Sequence, residues 1–532
     1  MLSRFFNRRE LFQAGGWLAI LPSFQRRAQA DPLRIGADIY QSIGVRPLIN
    51  CKGTFTIISG SQTLPEVKAA MDQASRHYVH LDELMEAVGK RLAEITGAEW
   101  GMVSCGCAAA LAHATAACIA GADPEKLQRL PDTRGLKNEV IAPAYSRNVY
   151  DHAVRSVGAR FVTVNSIEEY TRAFNERTAM VMILAGPGDE GPLGTQALAA
   201  IARQRGVPVL VDAAAERLTI PNIHLQRGAD LVAYSGGKCL RGPQSAGLLL
   251  GNKNLVRAAW LHSAPHHAFG RPMKAGKEEI MGMLAAVEMW VKRDHQAEWK
   301  EWESWLNQIA ASVTRVSGVT TKVLQPESLS NHAPRLQILW NGEELGITGA
   351  EAEKLLYEGN PRIVLGGSTG SRRVEPQKSS LTIMPYMMMP GEAKVVAERI
   401  YAVLAGARKQ PPRSPLPAAV NLNGQWDVEL RFVLGGARHK FIFEQSGNEL
   451  LGTHFGEQLS GDLRGSVEGD QVWFRSSHRY EGTRLGYEFT GRASSDRITG
   501  TVDLGEYGEA QFTAVRHQYT QPGGVVRPVK NV

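Results

Sequence analysis

The chain has 532 residues, 43% of them apolar, which is enough to bury the cores of two or three domains. Its five cysteines (Cys51, Cys105, Cys107, Cys118 and Cys239) are too few and too irregularly spaced for a disulfide scaffold and read as small buried hydrophobes. The formal charge is +7, but residues 1–30 alone hold five arginines against one glutamate, so the remainder carries too little excess to argue for nucleic-acid binding.

In chain order, Arg8 and Arg9 precede Glu10-Leu11-Phe12, a modest apolar stretch runs from Ala14 to Leu21, and Ala28-Gln29-Ala30 offers a small-x-small cleavage site. The pattern resembles a twin-arginine signal peptide over residues 1–30, a route that carries folded proteins and implies the twin-arginine export machinery as a partner. A periplasmic location is therefore expected. No other run approaches the roughly twenty apolar residues that span a bilayer.

From Asp31 to Gly406, short β-branched runs alternate with longer helical ones, as in Val181-Met182-Ile183-Leu184, the alanine-rich stretch 195–205 and Val207-Pro208-Val209-Leu210-Val211. This alternation predicts an α/β fold with a mostly parallel sheet. A large domain is expected over 31–276, and an interdomain helix with a small α/β domain over 277–406. Trp290, Trp299, Trp302 and Trp305 on the helical stretch 277–316 read as packing residues.

Residues 407–420 form a proline-rich linker, after which composition changes. Eight alternating runs follow at 424–433, 438–445, 449–456, 461–467, 471–477, 484–492, 497–503 and 508–516, broken by glycine turns. They predict a C-terminal all-β barrel or sandwich over 421–518, with a tail at 519–532. Phe441, Phe443, Trp473, Phe474, Tyr487 and Phe489 are candidates for its core filling or for a ligand cavity.

Four stretches of the large domain carry chemistry. Pyridoxal phosphate requires an amine for its imine, an acid at the pyridine nitrogen, donors for the phosphate and a stacking surface. Ser235-Gly236-Gly237-Lys238 ends a predicted strand on a glycine-loosened turn, with Lys238 as the amine and Ser235 beside it. Asp212 ends the run Val209-Leu210-Val211, where a carboxylate can keep the ring nitrogen protonated. Ser104-Cys105-Gly106-Cys107-Ala108 leads from a strand into a helix, so the N–H groups of Gly106, Cys107 and Ala108 can cradle a phosphate. In Tyr150-Asp151-His152 an aromatic ring can cover the cofactor; His152 is favoured over Tyr150. No metal site is read from the sequence.

The stretch Ser235-Gly236-Gly237-Lys238-Cys239-Leu240-Arg241-Gly242-Pro243-Gln244-Ser245-Ala246-Gly247-Leu248 resembles the lysine motif of the bacterial selenocysteine synthase family, which also holds D-glucosaminate-6-phosphate ammonia-lyase-like enzymes. The resemblance extends to Ile49-Asn50-Cys51-Lys52-Gly53-Thr54, to Leu92–Glu99 and to Gly391-Glu392, and so covers about residues 36–405. It implies the aspartate-aminotransferase-like fold (fold type I), pyridoxal 5'-phosphate as cofactor, and Lys238 as the Schiff-base residue, with Asp212 and the 106–108 nest in the roles above. It further implies a homo-oligomer, and an arginine of the small domain holding the substrate carboxylate. Arg362 stands in the similar place, with Arg372 and Arg373 competing. Transfer-RNA chemistry is not expected, because a signal peptide replaces the helical region with which that family grips the nucleic acid. The expectation is a lyase acting through an α-carbanion on a small amino acid or amino-sugar acid. Racemisation, transamination and a non-catalytic ligand-binding role remain the alternatives.

Overall fold

The computed structural model describes residues 33–409 and 415–518. The signal peptide and the C-terminal tail read from the sequence lie outside the described residues. Among those residues, no helix is long and apolar enough to cross a membrane.

After a short strand β1 (Leu48–Cys51), the large domain builds a seven-stranded sheet. Its strands are β2 (Trp100–Ser104), β3 (Glu139–Pro143), β4 (Arg160–Val164), β5 (Thr178–Leu184), β6 (Val209–Asp212), β7 (Leu231–Ser235) and β8 (Gly247–Gly251). They lie in the order β2-β8-β7-β6-β5-β3-β4, and β8 alone runs antiparallel to its neighbours. Helices cover both faces, which is why β2, β5 and β6 are almost wholly buried and read as unbroken apolar runs. The parallel arrangement sets the carboxyl ends of β5, β6 and β7 side by side, the edge at which such sheets bind ligands.

Two helices, Lys277–Lys292 and His295–Val313, lead to a second core. Trp290 is buried between the parts and donates to the Leu218 carbonyl at 2.7 Å, so it packs as expected. The small domain holds β9 (Thr320–Leu324), β10 (Arg335–Trp340), β11 (Arg362–Leu365), β12 (Gly367–Thr369) and β13 (Ser379–Ile383). Four of these form the sheet β12-β13-β10-β9, while β11 pairs in parallel with β1, Leu48 opposite Arg362 and Cys51 opposite Leu365.

The C-terminal region is a closed antiparallel barrel of eight strands: β14 (Gly424–Arg431), β15 (Gly436–Ser446), β16 (Glu449–Phe455), β17 (Ser460–Glu468), β18 (Gln471–Tyr480), β19 (Thr483–Ala493), β20 (Arg497–Asp503) and β21 (Glu509–Arg516). Each predicted strand overlaps one of them. Inward positions alternate with outward ones, and Phe441, Phe443, Phe474 and Phe489 fill the interior, each buried ring contributing about 2 kcal/mol. Phe474 and Phe489 stack at 4.7 Å between centroids. Trp473 does not belong with them. Flanked by the inward Val472 and Phe474, it points outward and donates to Glu488 at 2.8 Å. Away from the phenylalanines the lining becomes polar. His439, His454 and His478 are buried there, with His439 bonded to His454 at 2.8 Å and His454 to Ser476 at 2.6 Å.

Candidate active site

Lys238 sits in the loop between β7 and β8, immediately beyond the carboxyl end of β7. That loop is tied back on itself: Gly236 N donates to Ala246 O at 2.8 Å, Gly242 N to Gly236 O at 2.8 Å, and Arg241 N to Lys238 O at 2.9 Å. Ser61 N donates to Gly237 O, joining the loop to the N-terminal segment. At Gly237 a Cβ would fall 2.0 Å from the Gln244 side chain, so only glycine permits this packing. Ser235 is half-buried at the end of β7, one strand away from Asp212.

Asp212 ends β6 and is 2% exposed. Its Oδ1 accepts from Ala214 N at 3.1 Å and lies 3.8 Å from the Cys107 Sγ. Burial pushes the Asp212 carboxyl up, and the Ala214 hydrogen bond and the Lys238 charge draw it back in part. The same burial, with Asp212 close by, raises the Cys107 thiol, so this cysteine is held as a thiol. No cationic side chain forms an ion pair with Asp212 among the described residues. A buried carboxyl at a strand end, without an ion pair among the described residues, fits the protonated nitrogen of a pyridine ring.

The helix Gly106–Ala120 begins beside it. Gly106 has φ 84°, a left-handed conformation that favours glycine, and Ser104 Oγ donates to its carbonyl at 2.8 Å. Behind this turn, Gly247 of β8 approaches so closely that a Cβ there would lie 2.4 Å from the Gly106 carbonyl carbon. Ala108 is exposed, leaving the first turn open on the other side. The residues present therefore fit pyridoxal phosphate: a lysine, a ring-nitrogen acid and an open helix start converge on the carboxyl edge of the sheet.

Neither ring of this stretch is buried: Tyr150 is 47% exposed at the start of the short helix that packs on Gly106–Ala120, and partial burial, then Asp212, Cys107 and Glu506, raises its phenol. His152 is exposed in the short helix Asp151–Arg155, its Nδ1 3.4 Å from the Arg155 guanidinium. Arg362 is not brought to the site. It starts β11 opposite Leu48, donates to Tyr357 O at 3.2 Å and lies over the Tyr357 ring at 4.6 Å. The other end of the strand pair, about 10 Å away along three residues, is the one that continues towards Lys238. Of its competitors, Arg372 pairs with Glu351 and Arg373 rests on Trp473 of the barrel.

The sequence reading missed a wall made by three distant segments. Thr54 Oγ1 and Tyr386 Oη are 3.0 Å apart, Tyr386 also donates to Asn331 Oδ1 at 3.2 Å, and Asn331 N donates to Ala215 O at 2.9 Å. Burial pushes the Tyr386 phenol up to about 12, so it stays protonated. Arg217 follows the same strand extension; its charge bears on Cys239 next to Lys238, and its guanidinium sits 5.9 Å from the Trp290 ring without an ion pair among the described residues. Met384-Pro385-Tyr386 at the end of a strand was the one available signal for this wall.

A family model described as aminotransferase class-V matches residues 157–271. D-glucosaminate-6-phosphate ammonia lyase of Salmonella typhimurium is 29% identical over 380 residues, 68% of this chain and 97% of the relative. A solved structure of D-glucosaminate-6-phosphate ammonia-lyase matches with a TM-score of 0.61 at 27% identity, over 69% of this chain and 98% of that one. The 5'-C-glycyluridine monooxygenase-decarboxylase of a Streptomyces species is 30% identical over 388 residues, 69% of this chain and 92% of the relative. L-seryl-tRNA(Sec) selenium transferase of Proteus mirabilis is 24% identical over 293 residues, 49% of this chain and 60% of the relative.

Proposed function

The chain belongs to the pyridoxal-phosphate-dependent class-V aminotransferase family, and within it we propose a lyase that eliminates ammonia or another leaving group from a small amino acid or amino-sugar acid. One observation carries the reading: the buried carboxyl of Asp212, without an ion pair among the described residues, meets an open helix start and the Lys238 loop at one sheet edge. The ammonia-lyase relative supports the type of reaction. Lys238 would hold the cofactor through its imine, Asp212 the ring nitrogen, the N–H groups of Gly106, Cys107 and Ala108 the phosphate, with Ser235 beside it and Tyr150 on the ring's open side. Bound there, the cofactor supplies an electron sink for charge developing at the substrate α-carbon.

The protein's own groups do the rest. Lys238 would take the substrate α-proton and return one to the leaving group. Tyr386 and Thr54 form a neutral hydroxyl wall that orients the substrate and keeps bulk water from its reacting face. Arg217, unpaired among the described residues, takes the substrate-carboxylate role in place of Arg362, which is held at Tyr357. The natural place of this chemistry is the periplasm, which the Arg8-Arg9 segment supports.

The test is the absorbance of the purified protein from about 300 to 500 nm before and after borohydride, with mapping of the reduced adduct, followed by ammonia and keto-acid release from a panel of amino acids and amino-sugar acids. Pyridoxyl on Lys238 with ammonia release supports the lyase. Carbon dioxide release in place of ammonia favours a decarboxylase, the chemistry in the name of the second relative. An adduct on any other lysine sinks the assignment.

A further inference from the structure

The tip of the β18–β19 hairpin is Glu481-Gly482, and it lies against the large-domain stretch 147–151 that carries Tyr150. Glu481 Oε2 accepts from Arg147 Nη2 at 2.5 Å, and Arg147 Nε donates to Asp151 Oδ2 at 2.6 Å. The central guanidinium is 10% exposed and Asp151 2%, so that pair is shielded from water, while Glu481, 36% exposed, closes it from the solvent side. Arg147 also bonds Thr163 and covers the Phe161 ring at 4.3 Å, which leaves it one fixed orientation. Next to Glu481, Gly482 passes so close that a Cβ would lie 2.2 Å from Asn148 O and 2.5 Å from Asp151 Oδ2. Arg155 lies over the Tyr480 ring at 5.3 Å.

The hairpin's own backbone points the same way. Glu481 has φ 51°, and tight hairpins place glycine, asparagine or aspartate in that conformation. A glutamate there is strained, and the barrel gains nothing from it, because its carboxylate is spent on another domain.

We propose that the β18–β19 hairpin is a positioning element of the cofactor pocket, in which Glu481 acts through Arg147, and Gly482 through its close approach to Asn148 and Asp151, to fix the segment that carries Tyr150. The barrel is then a working wall of the enzyme and not an appended module. The inference rests on the pocket of Lys238 and Asp212 described above.

The experiment uses the full chain as wild type, Glu481→Gln and Gly482→Val. Pyridoxal phosphate is titrated by its absorbance, and amide hydrogen exchange is followed in residues 147–155 and 438–446. Both variants should bind the cofactor about tenfold more weakly and exchange faster in 147–155, while 438–446 of the barrel stays protected. If Gly482→Val fails to fold, Glu481→Gln alone decides. Faster exchange in 147–155 with unchanged affinity and band position would overturn the positioning role, as would exchange that does not change. A wild-type protein that forms no imine on Lys238 would instead bring down the reading of the pocket, a failure visible before any variant is compared.

Discussion

The Sγ of Cys107 and the Oδ1 of Asp212 lie 3.8 Å apart inside the fold, so the first turn of one helix and the end of β6 share a single small space. In that space the Asp212 carboxyl is raised by burial, with Ala214, Lys238 and Cys107 offsetting part of the effect.

A carboxyl raised on folding favours the protonated form. Its contribution to stability is present below the unfolded value of about 4 and lost as pH climbs through the raised one. Asp212→Asn should therefore make the cofactor-free protein melt at a higher temperature than wild type at pH 7–8, with the gap closing towards pH 4. The same substitution should lower turnover by about a thousandfold. Calorimetry with and without pyridoxal phosphate separates the two effects. A less stable cofactor-free variant at pH 8 would show that Asp212 is a structural carboxylate.

Gly247→Val tests the backing of the phosphate cradle. A side chain at this position would collide with Gly106 and the Cys107 amide, so the helix start must shift by a few tenths of an ångström or more. Cofactor affinity should fall at least tenfold, read by absorbance titration, since helix-terminus hydrogen bonds depend on that alignment. Retained affinity would place the phosphate elsewhere.

The barrel should weaken in acid. Burial, followed by the mutual repulsion of the imidazoles, lowers His439 to about 4 and His454 to about 2; burial also lowers His478, and Glu457 opposes the shift at His439. Groups held neutral in this way stabilise the fold fully above the unfolded value of about 6.5, and that stability is lost as pH falls through it towards 4. For His439 the shift corresponds to roughly 3 kcal/mol at the acid end. Hydrogen exchange in peptides of β15 and β16 between pH 7 and 4.5, corrected for intrinsic rates, should show protection falling, and His439→Phe should flatten the dependence. Constant protection would mean that the three rings take up protons in the fold as readily as in the unfolded chain.

Arg8→Lys with Arg9→Lys should hold the protein in the cytoplasm, because the twin-arginine pair is what its receptor reads. Fractionation with an activity-independent tag measures this. Periplasmic accumulation of the double variant would refute the export reading.

The legibility of the chain followed physical periodicity. The barrel strands were readable because inward and outward residues alternate with a period of two, and Asp212 and Lys238 stood out because each ends a buried apolar run. Trp473 was grouped by its aromatic character, although its flanks, Val472 and Phe474, already marked it as outward. His152 and Tyr150 differ by two residues and are both exposed; Asp212 bears on the Tyr150 phenol, a proximity no composition signal carries. Arg362 failed for a different reason. Which end of β11 faces the site depends on its parallel pairing with β1, a contact between segments far apart in the chain. The wall of Thr54, Asn331 and Tyr386 was hidden in the same way.

The antiparallel course of β8 bears on how the molecule comes together. Parallel neighbours meet only after a long crossover has been ordered, whereas β7 and β8 are joined directly through the Lys238 loop, with Ser235 opposite Gly247 and Leu231 opposite Gly251. Loop closure costs less for such local partners, so the lysine-bearing turn belongs to the early, low-contact-order part of the folding reaction, and the β1–β11 pair that joins the small domain belongs to the late part. A nascent chain would thus present its amine to free cofactor while the cleft above it still stands open.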